Sequence, residues 1–264
     1  MIFWQVESII IKVNKNEKDM NQTLPKILIT APTSKAKNYA FKEWITNIRN
    51  FTYPNTEVVV FDNTNDNGEN ADLLNKEFKR LFGHNNGFKA IHTNIDSDSI
   101  IERMCKSHNE CIEYAKNNKF RKVLHLETDI IPPLDVIERL LFHNKQVVGA
   151  LYYRDEGIDR RLMIQKTIKY SEYSFANINM EQHEDISFID GKLKKVGHVG
   201  LGCVLIDINI FQNISFRFEK GVDLHPDCFF AEDCLRYNIP IYADTSLICQ
   251  HWNSSWGVYG IDYK

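Results

Sequence analysis

The chain has 264 residues, of which 43% are hydrophobic and 25% are charged, and its formal net charge is −3. This length and composition are typical of a globular protein with one large domain or two small ones. The small negative charge argues against a dominant nucleic-acid-binding surface. The six cysteines show no CxxC pair and no zinc-finger spacing. They are therefore expected to be buried free thiols in a reducing compartment.

Residues 1–24 are predicted to be an N-terminal extension, because residues 13–24 are polar and resemble a linker. The apolar segment 1–12 lacks the basic region and the small-residue cleavage site of a signal peptide. No run of the sequence approaches the roughly 18 apolar residues of a membrane span. A cytoplasmic location is therefore expected.

Strand-like and helix-like segments alternate along the first half of the chain. Short apolar runs that end at Pro, Gly or Asn predict strands, and apolar residues spaced three and four apart predict helices. The predicted strands are 26–31, 57–62, 88–92, 122–126 and 147–153. The predicted helices are 35–50, 71–82, 97–117 and 134–143. This alternation predicts an α/β fold with a mostly parallel sheet.

The second half of the chain is less regular. Residues 154–195 show no clear period, whereas 200–206 form a predicted buried strand that is entered by glycines. A helix is predicted over 228–237, and a last strand over 241–244.

Two carboxylates follow the predicted strand 122–126. Glu127-Thr128-Asp129 ends the strand, and two isoleucines and two prolines come directly after it. Ligands bind at the carboxyl ends of the strands in open α/β sheets. Mg²⁺ and Mn²⁺ prefer carboxylate oxygens together with substrate phosphates. The segment is therefore a candidate metal–diphosphate site, although an acidic turn after a buried strand would have the same sequence.

Other polar residues are predicted to lie at the same edge of the sheet. Pro32 and Thr33 follow the first strand, and Asp62 ends the second. An acid at the end of a second strand can accept hydrogen bonds from a ribose or a base N–H. The alternative is that Asp62 begins an ordinary turn.

Two residues of the second half are also candidates. Asp227 is predicted to be the N-cap of the helix that ends at Asn238, where a carboxylate is held rigidly and could act as a general base. It could equally be an ordinary N-cap. His251 follows a strand, and it would matter only if the chain returned it to Glu127 and Asp129, where imidazole and carboxylate together would suit Mn²⁺.

Over roughly residues 26–252 these segments resemble the GT-A type glycosyltransferases, the nucleotide-sugar-dependent enzymes with a DxD motif. Within that class they are most similar to the family-2-like enzymes of bacteria or viruses. Residues 127–133 are similar to the motif D-x-D-[IV]-x-P-P, with Glu127 in place of the first Asp. Residues 197–206 resemble the family's glycine-led strand on the acceptor side. Residues 242–251 are similar to the ending Y-x-D-x-S…H.

The resemblance implies roles for individual residues. Asp129, Glu127 and His251 would bind the metal. The family's base Asp lies eleven residues before a helix-ending Gly, and Asp227 lies eleven residues before Asn238. Asp233, in the literal Glu-Asp pair, is the reserve candidate. Arg103 and Asn109 on the long helix would face the nucleotide.

The resemblance therefore implies a GT-A fold over 25–264, with a nucleotide-binding half at 25–130 and an acceptor half at 131–264. The expected function is metal-dependent transfer of a hexosyl or pentosyl group from a UDP- or GDP-sugar, with Mn²⁺ or Mg²⁺, and with inversion. The acceptor would be a polysaccharide, a protein or a modified DNA base, in the host cytoplasm if the protein is viral. The alternatives are a sugar-nucleotide pyrophosphorylase and a non-catalytic sugar- or nucleotide-binding module.

Overall fold

The computed structural model describes residues 24–83, 87–97, 99–156, 159–169, 179–182, 186–222, 224–253 and 257–259. The predicted extension lies almost entirely outside these residues. The helices in the described part of the chain are α1 (Phe41–Arg49), α2 (Glu69–Phe82), α3 (Ile100–Asn117), α4 (Val136–Phe142) and α5 (Pro226–Arg236). The strands up to the middle of the chain are β1 (Ile27–Thr33), β2 (Thr56–Asp62), β3 (Phe88–His92), β4 (Lys122–Leu126), β5 (Ile130–Ile131), β6 (Val147–Leu151), β7 (Tyr153–Glu156) and β8 (Asp159–Leu162). The later strands are β9 (Ile164–Lys169), β10 (Asn179–Gln182), β11 (Leu193–Val196), β12 (His198–Val199), β13 (Cys203–Asp207), β14 (Ile241–Ile248), β15 (Gln250–Asn253) and β16 (Gly257–Tyr259).

An eight-stranded sheet forms the centre of the molecule, in the order β11-β14-β6-β13-β4-β1-β2-β3. The pairs β1–β2, β1–β4, β2–β3 and β6–β14 are parallel. Strand β13 is antiparallel to both of its neighbours, β4 and β6. The predicted α/β fold with a mostly parallel sheet is confirmed. Because β13 inserts beside β4, both predicted halves of the chain contribute strands to one sheet.

The central strands are buried on both faces, as continuous apolar runs in parallel sheets usually are. Along β1, Ile27 and Ile29 belong to one apolar cluster with α1, α2 and α4. Leu28, between them, belongs to a second cluster with α3 and α5. The sheet is therefore covered by helices on both faces, and ligands can reach it at the carboxyl ends of its strands.

The predicted helix 35–50 is wrong at its start. Residues 35–37 form a separate 3₁₀-helix, and α1 begins only at Phe41. From there its buried residues Phe41, Trp44, Ile45 and Ile48 follow the spacing of an amphipathic helix. Lys37 is the last residue of this separate 3₁₀-helix, which positions its side chain.

Glycines permit a close contact before β13. A Cβ atom at Gly200 would lie 2.2 Å from the hydroxyl oxygen of Tyr152, and one at Gly202 would lie 2.6 Å from its ring. The ring of Tyr152 therefore packs directly against this backbone. Strand β13 begins only at Cys203, later than the predicted start at Gly200.

The six cysteines are free and buried, as predicted from their apolar surroundings. None of the described helices is both long enough and apolar enough to span a membrane.

Candidate active site

Glu127 and Asp129 lie in the turn between β4 and β5, at the carboxyl edge of the sheet. The N–H of Glu127 donates to the carbonyl oxygen of Gly202 at 3.0 Å, which ties the turn to the segment before β13. The hydroxyl oxygens of Thr128 and Thr33 are 2.9 Å apart, which ties it to the end of β1. The two carboxylates are therefore held by strands on both sides of β4.

The ammonium of Lys37 bridges the two carboxylates. Its Nζ lies 2.7 Å from Oε2 of Glu127 and 2.9 Å from Oδ1 of Asp129. Burial lowers the pKa of Lys37, but the charges of Glu127 and Asp129 outweigh it and raise that pKa above its ordinary value. The two carboxylates thus converge on a single cation supplied by the chain itself.

The C-terminal tail returns His251 to the same place. Strand β15 pairs with β5, so that His251 lies opposite Ile130. Nδ1 of His251 lies 2.8 Å from the carbonyl oxygen of Tyr153, to which it donates. Nε2 lies 3.7 Å from Oδ2 of Asp129. The imidazole is thus fixed with its second nitrogen towards the carboxylate.

The carboxyl group of Asp129 has a strongly lowered pKa. Burial raises its pKa, but Lys37 and His251 outweigh burial and lower the pKa of Asp129 to about 2. The hydroxyl of Tyr39 donates to Oδ2 of Asp129 at 3.3 Å. Burial lowers the pKa of His251, whereas Asp129 raises it above its ordinary value. Asp129 is therefore an anion at neutral pH.

These residues fit a divalent cation by their chemistry. Two carboxylates and one imidazole nitrogen suit Mn²⁺. A metal-binding histidine usually donates its other ring N–H to a carbonyl or carboxylate oxygen, as Nδ1 of His251 does here. Tighter groups of three ligand-type side chains, with their atoms within 4.8 Å of one another, occur elsewhere in the described residues: His198, Asp227 and Cys228, and Asp62, Asp66 and His92. The ligand atoms of Glu127, Asp129 and His251 lie further apart than this, and the ammonium of Lys37 lies between the two carboxylates.

A cavity of about 380 Å³ lies beside the carboxylates. Its walls include residues 32–37 at the end of β1 and beyond it, residues 63–65 after β2, Arg103 and His108 on α3, and Glu127. Four of the residues predicted to bind the donor therefore line it: Pro32, Thr33, Arg103 and Glu127. Cavities of this kind at the carboxyl edge of a parallel sheet are common nucleotide sites.

Asp62 and Asn109 are occupied by contacts within the protein. Oδ1 of Asp62 accepts from the hydroxyl of Thr64 at 2.6 Å and from the amide of Asn70 at 2.9 Å. The amide of Asn109 donates to the carbonyl oxygen of Phe216 at 2.8 Å and accepts from its N–H at 3.0 Å. Asp62 thus shapes the loop that lines the cavity, and Asn109 fixes the backbone of Phe216. Direct contact of either residue with a nucleotide stays a prediction.

The position of Asp227 in its helix differs from the predicted one. The N-cap of α5 is His225, and Pro226 is the first helical residue, because proline is favoured there. Asp227 lies in the first turn, and its Oδ1 accepts from the N–H of Cys228 at 2.8 Å. The other end of the helix is as predicted, since Asn238 follows the C-cap with a φ of 55°.

His198 faces Asp227 from β12. Its Nε2 lies 3.3 Å from Oδ2 of Asp227, and the imidazole is 1% exposed. Neither ring nitrogen makes a well-aligned hydrogen bond with the described residues. Burial raises the pKa of Asp227, but His198, His225 and the side chain of Cys228 hold it well below its ordinary value. Asp227 is therefore ionised, with one oxygen held by the backbone of its helix and the other 3.3 Å from His198.

The ring of Tyr152 connects the two groups of acids. Burial first, and then the charges of Glu127, Asp227 and Asp129, raise the pKa of Tyr152. The N–H of Gly202 donates to the Tyr152 hydroxyl at 3.2 Å. The charges of the predicted metal ligands and of the predicted base therefore act on the same phenol.

Asp233 has a different environment. Its two oxygens accept from Nε and Nη2 of Arg217 at 2.9 and 3.1 Å. The neighbouring Glu232 also accepts from Arg217, at 2.7 Å. Arg217 thus pairs with both carboxylates of the literal Glu-Asp pair, Arg236 also donates to Glu232, and no oxygen of Asp233 is left unpaired.

Sequence reasoning missed three residues of the site: Lys37, Tyr152 and His198. The separate 3₁₀-helix that positions Lys37 has no distinctive sequence. Tyr152 was placed only as part of a buried strand. The glycines at 200 and 202 were the available evidence that a bulky side chain packs against this backbone.

The sequence matches no known family profile and no curated protein. Solved structures of glycosyltransferases match the fold. A197 from STIV superposes with a TM-score of 0.50 at 13% identity, over 90% of this chain and 92% of that one. TarS 1-349 from S. aureus superposes with a TM-score of 0.51 at 11% identity, over 84% of this chain. GalNAc-T7, solved with UDP, GalNAc and Mn²⁺, superposes with a TM-score of 0.60 at 10% identity, over 88% of this chain.

The chain spans 60% of the TarS chain and 44% of the GalNAc-T7 chain. Sequence identities as low as these support a shared fold and nothing more specific. The chain therefore has the GT-A type, Rossmann-like fold of glycosyltransferases, as the resemblance of its motifs implied.

Proposed function

We propose that this protein transfers a hexosyl or pentosyl group from a UDP- or GDP-sugar to an acceptor hydroxyl, with a divalent cation and with inversion at the anomeric carbon. One observation carries the proposal. Glu127, Asp129 and His251, from two distant parts of the chain, meet beside a cavity of about 380 Å³ at the carboxyl edge of the sheet. Glycosyltransferases have this fold, and GalNAc-T7 was solved with UDP, GalNAc and Mn²⁺.

The donor would lie in the cavity with its diphosphate towards Glu127 and Asp129. Residues 32–35 and 63–65 form the walls from the ends of β1 and β2, and Arg103 on α3 adds a guanidinium that can pair with phosphate. A divalent cation on Asp129, Glu127 and His251, Mn²⁺ or Mg²⁺, would neutralise the charge that grows on the leaving diphosphate.

Asp227 would act as the general base. It takes the proton from the acceptor hydroxyl while that oxygen forms its bond to the anomeric carbon. The bond from that carbon to the diphosphate breaks on the opposite face, so the configuration inverts. Because its pKa is held low, Asp227 is ionised and can accept a proton, and Nε2 of His198 lies 3.3 Å from its second oxygen.

Hydrolysis of nucleotide sugars tests the proposal without knowledge of the acceptor. The wild type should hydrolyse one member of a panel of UDP- and GDP-sugars slowly with Mn²⁺ or Mg²⁺, and should stop when EDTA is added. Asp129→Asn should remove this activity, whereas Glu77→Gln, on the outer face of α2, should keep it. Donor binding without hydrolysis or transfer by the wild type would instead identify a binding module.

A further inference from the structure

We propose that Lys37 is an exchangeable cation of the donor site. It holds Glu127 and Asp129 together before a divalent cation binds, and then moves to the diphosphate of the donor. This inference rests on the proposed function, since it concerns the same site.

The contacts of Lys37 make it a competitor of the metal. Its ammonium lies at 2.7 and 2.9 Å from one oxygen of each carboxylate. A divalent cation bound by the same two side chains would place a like charge within a few ångströms of the ammonium, in partly buried surroundings where such repulsion is strong. Only one of the two cations, the ammonium or the metal, can therefore remain in contact with the carboxylate pair.

The position of Lys37 gives the released ammonium a new partner. Lys37 lies in the 3₁₀-helix that follows β1, on the wall of the cavity, and its side chain is 30% exposed. Lysine carries its charge on a flexible four-carbon stem and binds phosphate as a point charge. A rotation of that stem therefore transfers the ammonium from the carboxylates to the space that the diphosphate would occupy.

The charges favour the exchange only when donor and metal arrive together. With Lys37 in place, two carboxylates share one ammonium, and one negative charge is left over. A divalent cation neutralises both carboxylates, and the ammonium then neutralises part of the diphosphate. Without a diphosphate, the metal must displace Lys37 with no compensation for the lost ion pairs. Metal alone should therefore bind weakly to the wild type.

The experiment measures free Mn²⁺ by electron paramagnetic resonance during titration of the protein without nucleotide. Lys37→Met, which keeps the length of the side chain and removes its charge, should bind Mn²⁺ about tenfold or more tightly than the wild type. Lys37→Gln should change the affinity in the same direction, and it replaces Lys37→Met if that variant does not fold. Lys42→Met, at an exposed position of α1, is the control and should match the wild type.

A second titration follows UDP in the presence of saturating Mn²⁺, where Lys37→Met should bind UDP about tenfold more weakly. Equal Mn²⁺ affinities for the wild type and Lys37→Met would overturn the exchange. A second result would also overturn the exchange: the wild type binds UDP without a divalent cation, and Lys37→Met does not bind it. Lys37 would then take the place of the metal permanently. Metal-dependent hydrolysis of a nucleotide sugar is measured separately. It tests the proposed function independently of whether the wild type and Lys37→Met differ in Mn²⁺ affinity.

Discussion

The imidazole of His198 and the carboxylate of Asp227 face each other in the interior, with Nε2 3.3 Å from Oδ2. The two residues come from different elements, β12 and the first turn of α5. The other carboxylate oxygen accepts from the N–H of Cys228. One oxygen of Asp227 is therefore held by the helix backbone, whereas the other faces His198 without a hydrogen bond from it.

Asp227→Asn should lower turnover by roughly 10²–10⁴, the range expected for loss of a positioned proton acceptor. The amide has nearly the same shape as the carboxylate but cannot take the proton. Affinity for UDP should not change, because Asp227 is assigned to the acceptor side. Steady-state transfer kinetics and calorimetry with UDP provide the two measurements. A fully active variant that produces the inverted product would remove Asp227 from the mechanism.

Asp233→Asn should affect stability and leave turnover nearly unchanged. The substitution replaces one of the two oxygens that accept from Arg217, at 2.9 and 3.1 Å, by an NH2 group and removes the negative charge. Hydrogen bonds to charged groups contribute about 1.5–3 kcal/mol each in favourable cases. Because Arg217 is 28% exposed, we expect a loss of only about 1–2 kcal/mol in the free energy of unfolding after discounting for solvent screening. Urea denaturation measures it. An inactive but stable Asp233→Asn would make this residue the base.

His198→Phe should shift the pH profile of the enzyme. The phenyl ring keeps most of the packing but removes both nitrogens, and His198 is one of the groups that lower the pKa of Asp227. Without it that pKa rises, so the base is protonated at a higher pH. The acid limb of kcat/KM should therefore move to higher pH, whereas a purely structural role of His198 would lower activity equally at every pH.

Part of the site followed from the sequence because it depends on strand ends. An apolar run that stops at Glu127 and is followed by prolines predicts that its carboxylates lie at the carboxyl end of a strand. Pro32 and Thr33 reach the same cavity for the same reason. The return of His251 was implied only by the resemblance, since it depends on the pairing of β15 with β5.

The rest of the site depends on side-chain contacts between distant elements. Lys37 meets Asp129 across 92 positions of sequence, and no local pattern marks that contact. His198 was visible only as one residue of a glycine-led strand. Asp227 was predicted as the N-cap, but the proline at 226 starts the helix one residue before it and makes His225 the N-cap. Helix boundaries are commonly uncertain by one or two residues.

Gly202→Ala should destabilise the protein and disturb the site. The added methyl group would lie 2.6 Å from ring atoms of Tyr152, and overpacking of this kind costs about 1–3 kcal/mol. The carbonyl of Gly202 accepts from the N–H of Glu127, so a shift of this backbone should also weaken donor binding. Gly191→Asn is the control, because nothing lies within 4 Å and asparagine tolerates its φ of 76°. Thermal unfolding and UDP titration of both variants check this.

His251→Ala should weaken Mn²⁺ binding in the presence of UDP by at least the roughly 10–100-fold that changes around a metal ligand cost. The reason is geometric, since Nδ1 is engaged by the carbonyl of Tyr153 and Nε2 is turned to Asp129 at 3.7 Å. A second histidine–aspartate pair provides the control: Nε2 of His143 lies 2.8 Å from Oδ2 of Asp244. His143→Ala breaks a contact of the same kind and should reduce stability without changing Mn²⁺ affinity. If both variants bind Mn²⁺ as the wild type does, His251 only stabilises Asp129, and the metal is held by the carboxylates and the diphosphate alone.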